Sequence, residues 1–188
     1  MTANDIYEAA IALIDEIDPD TGLVSVDTTE DYKARAPYLI DILQKELAKT
    51  SKYEKLYEFE YTPSDKEWVK IDLPSDFDTI SKITIDGNPS QRIPYQLENK
   101  SIYIKYSDAA TFNILYNAIP PAVTSLNDEL VLTDLSAMPY GLAKKFVEVE
   151  QNDFLVGIFS KEYDRQRIIS AAKNPASIEK MINVYGGI

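Results

Sequence analysis

Carboxylates are the side chains best placed to do chemistry, because the sequence contains no histidine and no cysteine. A histidine base, a thiolate nucleophile and a zinc site built from these residues are therefore excluded. Two carboxyl groups can serve a glycosidase when they flank the bond that breaks. Among 31 Asp and Glu residues such pairs arise by chance. A solvated surface position is therefore favoured for three close pairs: Asp76/Asp78, Asp128/Glu129 and Glu148/Glu150.

One segment begins like a calcium loop, with the pattern Asp18-x-Asp20-x-Gly22. A calcium-binding EF-hand needs glycine at its sixth position and glutamate at its twelfth. Here the glycine comes one residue early, and Thr29 occupies the twelfth position. The segment is therefore predicted to be a turn that ends a helix. The glycines also form neither a phosphate loop nor a Gly-x-Ser-x-Gly elbow, so we expect no cofactor and no enzymatic activity.

The formal net charge of −12 limits the kinds of partner. An acidic surface repels phosphate backbones, and the chain has no run of Lys or Arg, so tight binding to duplex DNA is not expected. No apolar stretch approaches the roughly 20 residues that span a bilayer. The amino terminus lacks the basic and apolar pattern of a signal peptide. The sequence predicts a soluble protein, and the lack of cysteine fits a reducing compartment.

Thirteen tyrosines are the unusual feature of the composition. Several fall at strand positions, where β propensity and core packing explain them. Tyrosine is also frequent at protein–protein interfaces, so an interface role stays open. This applies to Tyr57, Tyr61, Tyr103, Tyr106 and Tyr116.

Apolar residues recur with helical spacing at both ends of the chain. Thr2 and Asp5 resemble a capping box before one helical run, and Thr28 and Asp31 repeat the pattern before a second. Pro37 lies inside the second run, so we expect either a kink there or a helix that begins near Ala36. Toward the other end, Ser136 is a candidate N-cap. Two further helices are predicted over 136–173, and they meet near Asn152-Asp153.

The C-terminal helical stretch is amphipathic. One apolar face of its first helix is formed by Leu142, Phe146 and Val149. The register restarts after Asn152-Asp153 as Leu155, Ile158, Phe159, Tyr163 and Ile169. Charged residues occupy the other faces, so each helix needs partner helices to cover its apolar stripe.

Between the helical runs the hydrophobic period changes from 3.6 to 2, with turn signals every 8–12 residues. Asp86-Gly87 predicts a two-residue hairpin, and Glu98-Asn99-Lys100 predicts another turn. Pro94 favours an edge strand. Short strand character is also possible at Leu130–Leu132. Together these patterns predict five to seven antiparallel strands in a small sandwich or barrel-like unit.

The predicted fold class is α+β, a helical bundle from both chain ends with an inserted antiparallel β unit. The predicted divisions are an N-terminal helical pair (1–52), the β unit (53–132), a C-terminal helical pair that packs on the first (133–174) and a flexible tail (175–188).

Three stretches, in this order, resemble the head-to-tail connector proteins of tailed bacteriophages and prophages. Asp31–Leu43, with the sequence DYKARAPYLIDIL, is similar to the early helix of many small neck proteins. Leu73-Pro74-Ser75-Asp76-Phe77 resembles the entry to their β insertion. Asn152-Asp153 and the helix through Tyr163 resemble their paired C-terminal helices, with a Tyr-Gly-Gly tail beyond. The shorter connectors lack a β unit of this size.

The resemblance implies a structural, non-enzymatic virion protein. It would form a ring under the portal, extend the DNA channel and dock the next neck or tail component. The subunit can be monomeric before it assembles. DNA would pass without sequence-specific binding, and the location would be the virion neck, with the host cytoplasm during assembly. No membrane contact is implied.

Cations that could pair with the excess of acidic residues, together with two tyrosines, are the candidate contacts to neighbouring subunits or the portal. They are Arg35, Tyr38, Lys144, Lys145, Arg165, Arg167 and Tyr185. An alternative function is a glycan- or peptide-binding β module on a helical stalk. An enzyme ranks third, because it would have to rely on carboxylates alone.

Overall fold

The computed structural model describes residues 1–17, 26–62, 68–88 and 93–172. The elements follow one another as α1 (Ala3–Ile17), α2 (Val26–Ser51), β1 (Glu54–Tyr61), β2 (Val69–Asp72), β3 (Phe77–Ile85), β4 (Tyr95–Glu98), β5 (Ser101–Ile104), β6 (Ala110–Ala118), α3 (Met138–Val149) and α4 (Asp153–Ala172). This is the α+β fold that the sequence predicts. The chain forms two compact units: a helical unit of Met1–Ser51 and the chain from Pro120 onward, and a β unit of Lys52–Ile119.

The β unit is shorter than the predicted 53–132, because residues 120–132 belong to the helical unit. Gln44 of α2 explains why. Its side chain is fully buried, donates a hydrogen bond to the Pro121 carbonyl at 3.2 Å and accepts one from the Val131 N–H at 3.1 Å. The amide therefore satisfies two backbone groups of a segment that has no regular structure of its own.

No strand forms at the predicted Leu130–Leu132. Instead, the neighbouring Glu129 makes an isolated bridge with Thr2, and the Leu130 N–H donates to the Met1 carbonyl at 3.0 Å. Leu130 and Leu132 are buried in the helical unit. This segment holds the amino terminus in place.

The four helices share one core, in which α3 packs against α1, α2 and α4. The ring of Tyr32 stacks on Phe146 with centroids 4.3 Å apart, and Tyr7 meets Phe146 edge-on at 6.3 Å. The Tyr32 hydroxyl donates a hydrogen bond to Glu150 just past the end of α3. Burial of Tyr32 and this bond raise the pKa of the phenol. The predicted packing of the C-terminal helices on the N-terminal pair is present.

The capping box at α1 is confirmed, because Thr2 N–H donates to Asp5 at 2.7 Å and Asp5 N–H donates to the Thr2 hydroxyl at 3.3 Å. The predicted N-cap at Ser136 is wrong. Ala137 occupies the N-cap position of α3 without a side-chain cap bond. Ser136 is engaged by Asp134, which accepts from both its N–H and its hydroxyl.

Helix α2 begins at Val26, two residues before the predicted cap at Thr28. It continues through Pro37, so a start near Ala36 is wrong. Ala36 and Ile40 on either side of the proline are fully buried. Packing of this face offsets the roughly 3 kcal/mol that an interior proline costs a helix.

The predicted junction of two C-terminal helices is confirmed. Helix α3 ends at Val149, and Gln151 adopts a positive φ of 58°. The Asn152 side chain then accepts from the Leu155 N–H at 3.1 Å, which is the bond of an asparagine N-cap. Asn152 thus starts α4.

The β unit is a sandwich of two three-stranded antiparallel sheets, with strand orders β1-β6-β3 and β2-β5-β4. Both sheets contribute to one core, in which the fully buried residues are Ile71, Ile102, Ile104, Phe112 and Ile114. The described strands do not close into a barrel. Strand β4 lies at an edge, as the preceding Pro94 predicts.

The Asp86-Gly87 turn forms, with φ of 48° and 72°, and an antiparallel bridge joins Ile85 to Asn88 as in a two-residue hairpin. Among the described residues this bridge does not extend into a pairing of β3 with β4. Strand β3 pairs with β6, and β4 pairs with β5 in the other sheet. Asp86 accepts from the Thr111 N–H at 2.8 Å, which holds the turn against the start of β6. The turn that does join two paired strands is Asn99-Lys100, between β4 and β5.

Leu73–Phe77 forms the corner at which the chain crosses from one sheet to the other. Asp76 accepts hydrogen bonds from Lys55 at 2.6 Å and from the Tyr116 hydroxyl at 3.0 Å. The Lys100 ammonium donates to the Ser75 carbonyl at 3.2 Å. Leu73–Phe77, the stretch that resembles a connector motif, therefore stabilises the sandwich through hydrogen bonds to other parts of the β unit.

Core packing accounts for most of the strand tyrosines. Tyr61 and Tyr116 are buried, and Tyr57 and Tyr106 pack partly buried against the core. Tyr103 is half-buried and pairs across the sheet with Lys70 and Gln96 rather than facing the core.

Two predictions fall outside the described residues: the turn at Asp18–Gly22 and the flexible tail 175–188. Among the described helices none is long and apolar enough to cross a membrane.

Candidate functional site

A groove of about 530 Å3 lies between α2 and α3 of the helical unit. Its lining residues are Ala34, Arg35, Tyr38, Leu39, Lys145, Glu148 and Val149. Tyr38 is 68% exposed and Val149 is 56% exposed, although both are large apolar side chains. Ile42, one turn beyond Tyr38 on α2, is also exposed. We call this surface the α2–α3 groove.

Charged side chains at the α2–α3 groove pair with neighbours on their own helix. Arg35 contacts Asp31 at 2.9 Å, while Lys144 and Lys145 approach Glu148 at 3.6 and 3.5 Å. Exposed pairs of this kind contribute about 0–1 kcal/mol each. The cations can therefore exchange these partners for carboxylates of another protein at little cost.

Four of the predicted contact residues come together here. Arg35, Tyr38 and Lys145 line the groove, and Lys144 lies beside it through the shared partner Glu148. Val149 was assigned to the core face of its helix together with Leu142 and Phe146. That assignment is wrong, because Leu142 and Phe146 are buried whereas Val149 is exposed at the last turn.

Arg167 is not a free contact residue. Its guanidinium lies 3.3 Å from Glu46 of α2 and 3.5 Å from Asp164, and it stands over the Tyr163 ring at 5.9 Å. It therefore joins α4 to α2 within the helical unit. Arg165 is 69% exposed at its side chain, and its one ion pair within the described residues is with Glu162, one turn earlier. Tyr185 lies outside the described residues.

Helix α4 carries apolar side chains that the sequence pattern did not single out. Phe154 is 74% exposed and Ile168 is 67% exposed. The buried side of the same helix is formed by Leu155, Phe159 and Tyr163. A count of apolar residues on the side of α4 opposite its core face would have revealed the exposed pair.

A second groove, of about 460 Å3, lies beside α1. It is largely apolar and is lined by Met1, Asp5, Ile6, Ala9, Leu130, Leu132, Thr133, Leu135, Ser136 and Pro139. Among the described residues of this lining, Asp5 is the one ionisable side chain. We call this surface the α1 groove.

The close carboxylate pairs have structural partners. Asp128 accepts from the N–H groups and hydroxyls of Thr124 and Ser125, and these bonds, the backbone ones first, lower its pKa to about 2. The hydrogen bond from Lys55 likewise holds the pKa of Asp76 below its usual value. Glu150 is engaged by Tyr32. Within the described residues, no three Asp or Glu side chains gather as metal ligands would.

Comparison of the sequence with models of known protein families and with curated proteins finds no match.

Proposed function

We propose that the protein is a head-to-tail connector of a tailed bacteriophage or prophage. It forms a ring under the portal, extends the DNA channel and docks the next neck or tail component. It acts without catalysis. Its place is the virion neck, and it assembles in the host cytoplasm.

The α2–α3 groove is the observation that carries this proposal. Tyr38 and Val149 expose apolar surface on a helical unit that already has a complete core. Contiguous exposed apolar surface marks a place where another protein docks. Cations beside the groove suit an acidic or carboxylate-rich partner. A protein whose main feature is such a surface is best explained as an assembly component.

The net charge of −12 supports a role at the DNA channel. A lumen lined by such a chain repels phosphates and so does not hold DNA that moves through it. We assign the β unit to contact with the capsid or the tail, because it is a separate compact unit with a hydrophobic core of its own.

Co-assembly with a portal protein tests the proposal. Purified subunit is mixed with portal rings, and the product is measured by light scattering and negative-stain imaging. The connector role predicts a second ring stacked on the portal. Tyr38→Asp combined with Val149→Asp should weaken this complex, whereas the matched control Lys33→Asp on exposed α2 surface should not. Failure of the wild-type chain to bind any portal of its phage would refute the proposal.

A second candidate is a peptide-binding β unit. Strand β4 is exposed along its whole length at the edge of its sheet. Tyr95 and Leu97 oppose the buried Ile104 and Ile102, yet they are 43% and 51% exposed. An extended peptide can add to such an edge and cover these side chains. Saturable binding of the full chain to peptide or glycan arrays, lost in Leu97→Asp, would favour this candidate.

A further inference from the structure

The outer face of α4 is not explained by the subunit on its own. Helical spacing places Phe154, Ile158, Lys161, Arg165 and Ile168 on one stripe, opposite the buried Leu155, Phe159 and Tyr163. The ends of this stripe are apolar and its middle is cationic. A helix that is apolar on two opposite faces is usually covered on both. We call this surface the α4 stripe.

Gly157 adds a second observation at the α4 stripe. It is exposed in the second turn of α4, and a Cβ built there would meet nothing within 4 Å. A helix-interior glycine costs about 1 kcal/mol relative to alanine. The fold of the subunit gains nothing in return, so close approach by another protein is a reason for the glycine to stand there.

Helix α1 is acidic, in contrast to the cationic middle of the α4 stripe. Its sequence contains four acidic residues and no basic one. Asp5, Glu8 and the small Ala12 are exposed on one face. Asp5 and Glu8 both accept hydrogen bonds, from Thr2 and Asn4 respectively. The α1 groove, with its apolar lining, lies beside these carboxylates.

The two surfaces lie on different sides of the helical unit. Helices α1 and α4 each pack on both α2 and α3, and within the described chain no comparable contact joins α1 to α4. A contact between two such different surfaces is heterologous, since each copy gives one surface and receives the other. Heterologous contacts propagate head to tail and close into rings when the rotation allows.

We propose that the α4 stripe of one copy docks on the α1 face and α1 groove of a second copy. Phe154 or Ile168 enters the apolar α1 groove, while Lys161 and Arg165 face Asp5 and Glu8. The stripe from 154 to 168 is about 21 Å long at 1.5 Å per residue, comparable with the length of α1. This contact would join neighbouring subunits of the proposed ring. The inference rests on the proposed function, because it is the ring that sets how many copies close.

Chemical cross-linking tests the contact directly, because the chain has no cysteine of its own. The double variant Ala12→Cys/Asp164→Cys places one thiol on the exposed face of α1 and one on exposed α4 surface beside Lys161 and Arg165, and it leaves Gly157 in place. Treated with a short thiol cross-linker at high protein concentration, it should give a ladder of covalent oligomers. The control Ala12→Cys/Lys33→Cys should give far less, since Lys33 lies on exposed α2 surface outside both faces. No ladder above the control would overturn the proposal.

Charge reversal tests the chemistry of the contact. Lys161→Glu/Arg165→Glu should weaken self-association about tenfold or more, because like charges then face each other. Adding Glu8→Lys/Ala12→Lys to the same chain should restore it. The control Lys33→Glu/Lys49→Glu makes the same change in net charge and should assemble like wild type. The proposed contact would be overturned if the charge-reversed variant associated like wild type, or if the added lysines did not restore association.

The outcomes separate this contact from the proposed function. Rings or portal complexes that form in the reversed variant would overturn the contact and leave the connector function standing. A cross-linked ladder in a chain that never binds a portal would support the contact and contradict the connector function. Absence of ladder, ring and portal complex would contradict both.

Discussion

Two glycines on neighbouring helices offer a matched test of the packing. A Cβ at Gly141 would lie 2.9 Å from Leu43 Cδ2 and 2.9 Å from Tyr163 Cε2, whereas a Cβ at Gly157 would meet nothing within 4 Å. Leu43 and Tyr163 are both buried, so neither can move aside freely. The same change, Gly to Ala, should therefore stabilise the protein at Gly157 but not at Gly141.

The magnitudes follow from two opposing contributions. Alanine is favoured over glycine in a helix interior by about 1 kcal/mol, and this gain is the same at both sites. Overpacking a closed core costs about 1–3 kcal/mol. Gly157→Ala should thus raise the free energy of unfolding by about 1 kcal/mol. Gly141→Ala should lie about 1–3 kcal/mol below Gly157→Ala, because the helix contribution cancels between them.

Urea unfolding followed by circular dichroism measures both variants against wild type. Equal slopes would show that the midpoint shift reports stability alone. Stabilisation of similar size by both substitutions would refute the close approach of α3 to α2 and α4 at Gly141. Gly157→Ala should leave the monomer well folded and yet weaken self-association, if α4 meets a second copy there.

Three further predictions concern other parts of the chain. Gln44→Met keeps the volume of the buried side chain but leaves the Pro121 carbonyl and the Val131 N–H without their hydrogen bonds, so it should lower the free energy of unfolding in urea by about 2–4 kcal/mol. Lys33→Met, exposed on the same helix, is the control, and equal stability of the two variants would contradict the bridge. Hydrogen bonds in the fold lower the pKa of Asp128 from its ordinary value of 3.8 to about 2, so the stabilising effect of the carboxylate is complete above about pH 4 and is lost as the pH falls toward 2. Asp128→Asn should therefore flatten the dependence of stability on pH between those values, and an unchanged pH profile would count against the turn. Glu54 of β1 pairs with Asn117 of β6, so the two ends of the β unit lie side by side. Replacing 53–118 with a short Gly-Ser turn should therefore leave a folded, helical remainder. If this deletion variant still assembled fully on capsid and tail, the proposed role of the β unit would be refuted.

Local signals in the sequence predicted the elements that local interactions determine. The Thr2/Asp5 capping box, the junction at Asn152 and the turn at Asn99-Lys100 each depend on side chains within a few residues. Alternation of apolar residues likewise predicted an antiparallel sandwich. The α+β fold followed from the change of period between 3.6 and 2.

The errors arose where a distant segment decides the structure. Asp86-Gly87 forms the turn that its sequence favours, but β6 and β5 recruit the two flanking strands into different sheets. The sequence pattern assigned 120–132 to the β unit, whereas hydrogen bonds to Gln44 and Asp41 of α2 and to the amino terminus join this segment to the helical unit. Pro37 stays inside a helix because tertiary packing outweighs its cost.

For the candidate site, residue type was a better guide than periodicity. Three of the cations predicted to pair with an acidic partner surface, Arg35, Lys144 and Lys145, lie at or beside the α2–α3 groove. The same prediction included Arg167, which the fold uses internally with Glu46. Periodicity placed Val149 in the core, and it could not show that α4 has a second apolar face, because exposure depends on which helices pack beside it.

The most direct test of the connector proposal is the mass of the assembled particle. Wild-type subunit is measured by light scattering over a wide concentration range, alone and on portal rings, and large species are imaged by negative stain. The proposal predicts closed rings with a central hole, at least on the portal. A small stable dimer that neither grows with concentration nor binds the portal would contradict it.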